Sequence, residues 1–135
     1  MKRLILDANV LIRFLRADHP NHFESAKVLF TRAEAGEVRL VLLDAVLAEV
    51  VFKLESVYKS HREDIARALR PFLLHGGIDC PGAVVLADAL ERFTLKNVDF
   101  MDAYLAAQAF ALGCPVSSFD RDFRKFKDVG WEQPG

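Results

Sequence analysis

Short apolar segments alternate with longer amphipathic segments along the chain. Residues 4–6 form a continuous apolar run that stops at Asp7, which is the pattern of a buried central strand covered on both faces. Three more short apolar segments, at residues 39–43, 78–80 and 116–118, predict further strands. Strands that alternate with helices predict an α/β fold, with a short parallel sheet of four to five strands flanked by helices.

The intervening segments have the periodicity of helices. The segment 45–58 is apolar around most of its circumference, so we expect two sides of it to be covered, one by the sheet and one by a second subunit of a homodimer. Asp44 precedes it as a predicted N-cap, and Ser60 and Glu63 have the spacing of a capping box for the next helix. Helices are predicted at residues 10–16, 21–35, 45–58, 60–76, around 84–93 and at 99–113.

The length and composition are those of one globular domain spanning residues 1–135. Of these residues, 52% are hydrophobic and 27% charged, and a chain of this size buries roughly 68% of the surface that its unfolded form exposes. The two cysteines, Cys80 and Cys114, lack the spacing of a disulfide framework or a thiolate metal site. We therefore expect a reducing compartment.

No segment has the features of a signal peptide or a membrane span. Asp7 and Asn9 interrupt the apolar start of the chain before it reaches the ~7 to 15 residues of a signal peptide. No run approaches the ~18 apolar residues of a membrane helix. These features predict a cytoplasmic protein without membrane contact.

The overall charge does not indicate a nucleic-acid binder, because the net charge is −1 and the pI is about 6.4. Such a role would depend on local basic patches. One patch follows the last predicted strand and contains Arg121, Arg124, Lys125 and Lys127. A second set is better explained as a solvated helix face: Lys59, His61, Arg62, Arg67 and Arg70.

Acidic side chains stand at the ends of predicted strands. Asp7 follows the first strand and Asp120 follows the last, and ligands bind in the crevice beyond the carboxyl ends of parallel strands. Asp99 and Asp102 are three residues apart at a helix start, so their carboxylates project from one face. We expect Asp7, Asp102 and Asp120 at one edge of a single sheet, with Glu49 on a flanking helix.

Each acid also has a purely structural interpretation. Asp7 or Asn9 could cap the first helix, and capping is as good an explanation of Asp99 as catalysis. Glu49 has the i,i+4 spacing of an ion pair with Lys53.

A shared cluster of carboxylates predicts a bound cation. Like charges raise one another's pKa and oppose folding, and a hard divalent metal removes that cost. An all-oxygen ligand set without His or Cys suits Mg²⁺ or Mn²⁺. Such metals also bind phosphate oxygens, and a pair of them can activate a water and stabilise a leaving oxygen. The basic segment beside Asp120 would then hold an RNA backbone.

Four segments carry a resemblance to a known family: Leu-Asp-Ala-Asn-Val-Leu at 6–11, Val-Leu-Ala-Glu-Val at 46–50, Asp-Phe-Met-Asp-Ala-Tyr-Leu-Ala-Ala at 99–107, and Ser-Phe-Asp-Arg-Asp-Phe at 118–123. With these segments in this order, essentially the whole chain resembles the PIN-domain ribonucleases. It is most similar to the VapC-type toxins of bacterial and archaeal toxin-antitoxin pairs.

The resemblance implies roles for individual residues. Four acids match the metal-site positions of the family: Asp7, Glu49, Asp102 and Asp120. Auxiliary positions are matched by Asp99, Asp122, Asn9 and Ser118, of which the last two would orient carboxylates or waters of the metal. Ala8 stands where many members have Thr or Ser, and Ser118 where Thr is common. Neither departure removes a carboxylate, so we expect activity to survive.

The resemblance also implies an activity: Mg²⁺- or Mn²⁺-dependent endonucleolytic cleavage of RNA by a homodimer, which a small antitoxin inhibits by covering the site. In this interpretation the chain is the toxin of a type II toxin-antitoxin system. Asp7 is the central metal ligand, and Glu49 positions the attacking water or acts as its base. The RNA is held by Arg121, Arg124 and Lys125.

Two other functions are compatible with parts of the sequence. One is a phosphotransfer domain with Asp7 as nucleophile, although no second acid lies two residues after Asp7. The other is a catalytically silent metal-binding module that acts by protein contact through the apolar segment 45–58.

Overall fold

The computed structural model describes residues 1–135 and contains six α-helices, five short strands and one 3-10 helix. The strands are β1 (Lys2–Ile5), β2 (Val38–Val41), β3 (Ile78–Asp79), β4 (Val116–Ser117) and β5 (Trp131–Glu132). The helices are α1 (Ala8–Arg16), α2 (Pro20–Glu34), α3 (Asp44–Ser56), α4 (Arg62–Leu73), α5 (Ala83–Leu95) and α6 (Phe100–Leu112), and the 3-10 helix is Arg121–Lys125. None of the helices combines the length and apolarity that a membrane crossing requires.

The chain forms two compact units, the N-terminal unit Met1–Ala83 and the C-terminal unit Val84–Gly135. All strand pairs are parallel, with order β1-β2-β3 in the first unit and a β4-β5 pair in the second. The predicted α/β class, with short parallel strands flanked by helices, is confirmed. The prediction of one sheet was wrong in detail, since the five strands are divided between two sheets. Asp7 and Asp120 therefore follow strands of different sheets.

In the N-terminal unit the central strand is β2 and not β1. Leu40 is fully buried in β2, which pairs with β1 on one side and β3 on the other. β1 is an edge strand, and its Ile5 is 68% exposed. The apolar run at residues 4–6 thus predicted a strand correctly but not its place in the sheet, because a short run does not specify how many neighbours a strand has.

Helices α1, α2 and α4 share an aromatic cluster in this unit. The Phe14 ring lies 4.7 Å from the Phe30 ring and 6.1 Å from the Phe72 ring, measured between centroids. On α3, Leu47 and Val50 are fully buried, whereas Phe52 is 67% exposed. One of the two faces of α3 that were expected to be covered is therefore open in the single chain.

Two predicted helix caps are wrong. Leu43 is the N-cap of α3, so Asp44 is its first helical residue, and His61 is the N-cap of α4 without a side-chain capping bond. The main-chain N–H of Ser60 instead donates to the carbonyl of Leu54 at 2.9 Å. Ser60 therefore belongs to the turn that closes α3 and cannot open α4.

A buried arginine organises the C-terminal unit. Arg92 on α5 is 9% exposed, and its two terminal nitrogens donate to the two carboxylate oxygens of Asp128 at 2.8 and 2.7 Å. Its Nε donates to Asp88 at 3.0 Å, and its guanidinium carbon lies 5.6 Å from the ring centroid of Phe126. These contacts tie the segment after the 3-10 helix to α5, and hydrogen bonding to Arg92 is the main cause that lowers the pKa of Asp128.

We predict that Asp128→Asn lowers the free energy of unfolding by about 1 kcal/mol at pH 7, which is the value of a charge-assisted pair discounted for an acid that is half exposed. The folded-state pKa of Asp128 lies below its ordinary value of 3.8. The contribution is therefore fully present well above that value and is lost as the pH falls through the folded-state pKa.

Urea unfolding of both proteins between pH 7 and pH 3 measures this difference. The difference in the free energy of unfolding should become smaller toward pH 3. Glu91→Gln, an exposed acid on the same helix without an ion pair, is the control and should change little. A stability difference between Asp128→Asn and the parent that does not change with pH would contradict a stabilising ion pair between Asp128 and Arg92.

Candidate metal centre

Three carboxylates converge in the C-terminal unit. One carboxylate oxygen from each of Asp102, Asp120 and Asp122 lies within 4.8 Å of the other two. Asp102 is half-buried in the first turn of α6, and Asp122 is half-buried in the 3-10 helix that Asp120 caps. We call these three residues the aspartate trio.

Helix α6 brings Asp102 to the trio by packing its small residues. Ala103, Ala106 and Ala107 are almost fully buried, so the backbone of α6 lies close to its neighbours and the adjacent Asp102 is drawn partly inside. Asp99 is the N-cap by backbone geometry, but its side chain makes no capping hydrogen bond. The capping interpretation of the Asp99 carboxylate is therefore not realised, and that carboxylate remains one of the charges facing Asp102.

The loop after β4 holds Asp120 and Asp122 through local hydrogen bonds. The main-chain N–H of Asp120 donates to the Ser118 hydroxyl oxygen at 2.9 Å, and the N–H of Asp122 donates to an Asp120 carboxylate oxygen at 2.8 Å. Trp131 pins the loop, because its indole N–H donates to the Ser118 carbonyl at 2.9 Å. One Asp120 oxygen is thus fixed by the backbone, which orients the carboxylate.

Asp102 lies in an unfavourable electrostatic environment for a carboxylate. Burial is the largest cause that raises the pKa of Asp102, followed by the negative charges of Asp120, Asp99 and Asp122. A hydrogen bond with the Asp120 side chain raises it further. A cation bound among these oxygens would remove both the repulsion and the desolvation cost.

The donor set fits a hard divalent metal. All the ligand atoms of the trio are carboxylate oxygens, and neither His nor Cys belongs to it. Mg²⁺ and Mn²⁺ prefer such ligands, whereas Zn²⁺ is bound more often by nitrogen and sulfur. Since three ligands leave positions of an octahedral ion open, the trio by itself could hold a metal that also accepts waters or a phosphate oxygen.

Lys125 supports the trio from its outer side. Its ammonium lies 3.3 Å from an Asp122 carboxylate oxygen and donates to the main-chain carbonyl of Asn97 at 2.9 Å. The bridge joins the 3-10 helix to the segment that leads into α6. Lys125 was predicted to contact RNA, and this geometry also assigns it a part in orienting Asp122.

The remaining predicted residues of the metal site, which are Asp7, Asn9 and Glu49, lie in the N-terminal unit. Asp7 is exposed at the N-cap position of α1, where its side chain makes no capping hydrogen bond. Asn9 accepts a hydrogen bond from the Lys53 ammonium at 3.3 Å, and the same ammonium lies 3.7 Å from a Glu49 carboxylate oxygen. The alternative interpretation of Glu49 as an i,i+4 ion-pair partner is therefore realised.

The structure brings together three of the predicted acids, of which Asp122 had been assigned only an auxiliary place. The joining of Asp7 and Glu49 to them stays a prediction, as do the RNA contacts of Arg121, Arg124 and Lys125. The sequence analysis missed the role of Trp131, for which the only available signal was a lone aromatic residue after Gly130. It included the pairing of Lys53 with Glu49 but not the hydrogen bond from Lys53 to Asn9.

Known proteins resemble this chain over nearly its full length. The profile of the PIN domain family matches residues 4–129. A protein named VapC ribonuclease from Aquifex aeolicus (strain VF5) is 27% identical over 128 residues, which are 93% of this chain and 94% of that protein. A crystal structure described as VapBC2 from Rickettsia felis, bound to a DNA fragment from their promoter, aligns over 98% of both chains with 15% identity and a TM-score of 0.37. That structural likeness is too low to add to the family match.

We predict that Asp102→Asn raises the melting temperature of the metal-free protein at pH 7 by a few degrees. The amide removes one charge from the trio and can donate a hydrogen bond to Asp120. Added Mn²⁺ should stabilise the parent, by about 2.7 kcal/mol at 100 times its Kd, and should have little effect on the variant. Thermal unfolding with EDTA or Mn²⁺ measures both effects, with Glu91→Gln as control. A variant that is less stable than the parent without metal would contradict the strained trio.

A second prediction concerns Ser118, which accepts a hydrogen bond from Asp120. Ser118→Ala should weaken Mn²⁺ binding about 10-fold, because loss of a group that orients a ligand typically costs 10- to 100-fold. Ser117→Ala is the matched control, since Ser117 is the exposed neighbour on β4. Titration calorimetry with Mn²⁺ gives both affinities. Equal affinities for the two variants would remove Ser118 from the site.

Proposed function

The chain belongs to the PIN domain family, and from this membership we propose that it is a metal-dependent endoribonuclease that acts as the toxin of a toxin-antitoxin pair. It would hydrolyse RNA phosphodiesters with Mg²⁺ or Mn²⁺ held by carboxylates. The observation that carries the proposal is the convergence of Asp102, Asp120 and Asp122 within 4.8 Å in a chain of this family. The name of the relative from Aquifex aeolicus supports the choice of RNA and of the toxin class.

In the proposed site the trio would hold the metal, and Asp7 is carried over from the family resemblance as the proposed central ligand. A bound Mg²⁺ or Mn²⁺ supplies positive charge for a phosphodiester oxygen and lowers the pKa of a water. The rest of the chemistry belongs to the protein. Burial and the neighbouring acids raise the pKa of Asp102, so a cation among these oxygens would relieve the repulsion.

The remaining residues orient these ligands. Ser118 and the N–H of Asp122 bind Asp120, and the Lys125 ammonium forms an ion pair with Asp122. Preorganised ligands lose little freedom when a metal or substrate binds. We assign Glu49 the role of positioning the attacking water or accepting its proton, with Asn9 and Lys53 as its polar neighbours.

The proposed partners follow from the same function. A small antitoxin would cover the site, and the relative named VapC supports this partner. We also propose a homodimer in which α3 contributes to the interface, since Phe52 and Val57 are 67% and 66% exposed on or beside that helix. Burying such apolar side chains between subunits is favourable.

The two other functions remain distinguishable by experiment. A phosphotransfer domain would form an acyl phosphate on Asp7 that hydroxylamine releases, and the nuclease would not. A silent binding module would bind Mn²⁺ tightly and cleave no RNA. No contact in the structure favours either over hydrolysis.

The test is cleavage of a mixed pool of structured RNAs by metal-stripped protein with EDTA, Mg²⁺ or Mn²⁺. We expect cleavage only with metal, and a loss of at least about 100-fold in Asp102→Asn and in Asp7→Asn. Glu91→Gln should retain full activity. Cleavage that persists in EDTA, or in Asp7→Asn, would overturn the proposed site.

A further inference from the structure

A basic pocket lies beside the aspartate trio in the C-terminal unit. It has a volume of about 530 Å³, which is within the range of pockets that hold small ligands. One carboxylate and five cationic side chains line it: Asp122, Lys96, Arg121, Arg124, Lys125 and Lys127. Five cations in one pocket contrast with a net charge of −1 for the whole chain.

Two of the cations are held in place by the protein. Arg124 donates from Nε to the main-chain carbonyl of Arg121 at 3.3 Å, and its guanidinium carbon lies 6.0 Å from the ring centroid of Trp131. Lys125 is fixed by Asp122 and by the Asn97 carbonyl. Positively charged groups that are already ordered lose less side-chain entropy when an anion binds.

Two acids near the pocket already have cationic partners. Asp122 is already paired with Lys125, and Asp128, whose pKa is lowered in part by Lys96, is bound by both terminal nitrogens of Arg92. Arg121 and Lys127 are exposed and form no ion pair in the structure. The pocket therefore keeps a positive potential that an anionic ligand would neutralise.

We propose that this pocket is a subsite for a phosphate of the RNA strand other than the one that is cleaved. The inference rests on the proposed nuclease function, since it assigns the ligand to the same substrate. Asp122 belongs both to the wall of the pocket and to the trio. A strand with one phosphate at the trio would therefore place a neighbouring phosphate among Arg121, Arg124 and Lys127.

In this arrangement the cations have separate tasks. Arg121 and Lys127, which have no carboxylate partner, contact the phosphate and contribute affinity through the release of counterions. Lys125 is a positioning residue that orients the Asp122 carboxylate toward Asp102 and Asp120. Contacts to the backbone carry no information about base sequence, so the subsite would strengthen the binding of RNA strands in general.

The test measures binding without cleavage. The protein is used as Asp102→Asn in EDTA, and the probe is a fluorescein-labelled single-stranded RNA of about 12 nucleotides. Adding Arg121→Gln with Lys127→Gln should raise the Kd about 10-fold at ~0.1 M salt. It should also lower the slope of log Kd against log salt by about 1.4, or 0.7 for each lost phosphate contact.

Lys59→Gln with Arg70→Gln is the matched control, because it removes the same charge from exposed positions in the N-terminal unit. It should change the Kd less than twofold. Equal losses in the two double variants, or no loss in Arg121→Gln with Lys127→Gln, would overturn the subsite. Displacement of the RNA by inorganic phosphate at low millimolar concentration would instead identify a site for free anions and would also overturn the assignment to RNA.

The outcome is independent of the nuclease assay. Weakened RNA binding in a protein that cleaves no RNA would leave the pocket as a site for an RNA phosphate and would remove the proposed nuclease function. Metal-dependent cleavage together with unchanged binding would remove the subsite alone.

Discussion

Repulsion among Asp102, Asp120 and Asp122 is the constraint on which the C-terminal unit depends. Three carboxylates within 4.8 Å oppose folding unless something holds them there. The buried alanines of α6 keep the adjacent Asp102 partly buried. A hydrogen bond from the indole of Trp131 holds the loop that carries Asp120 and Asp122. The surrounding packing thus maintains an arrangement that only a cation makes favourable.

Two other acids of the C-terminal unit have a structural role. Asp88 and Asp128 face the buried guanidinium of Arg92, which satisfies both of them and lowers the pKa of Asp128. Asp102 has no such partner, and its pKa is raised. This contrast separates acids that stabilise the fold through an ion pair from an acid whose carboxylate has no cationic partner in the structure.

Lys125 and Asp122 connect the two charged regions of the unit. Asp122 contributes a carboxylate to the trio and also lines the basic pocket, and Lys125 bridges it to Asn97. The acidic trio and the basic pocket are therefore adjacent, with the ion pair of Asp122 and Lys125 at their boundary. Under the proposed function, the cations of the pocket would offset the repulsion between a polyanion and the acidic residues.

Much of this protein follows from its sequence alone. The alternation of short apolar and amphipathic segments predicted the α/β class, and four short motifs carried the resemblance to the PIN domain family that the family profile confirms. These features are local, so side-chain periodicity and residue order reveal them. The spacing of Asp99 and Asp102, and the place of Asp120 after the last predicted strand, also made those acids candidates.

Only the tertiary structure decided which candidates meet and what holds them. Asp122 joins the trio, Lys125 is engaged in an ion pair, and Ser118 is bonded to Trp131, which is 13 residues away in the chain. The position of β1 at the edge of its sheet and the caps at Leu43 and His61 were likewise decided there. Such features depend on where distant segments lie and on which of several possible hydrogen bonds is made, and neither is encoded in the local pattern of hydrophobic and polar residues.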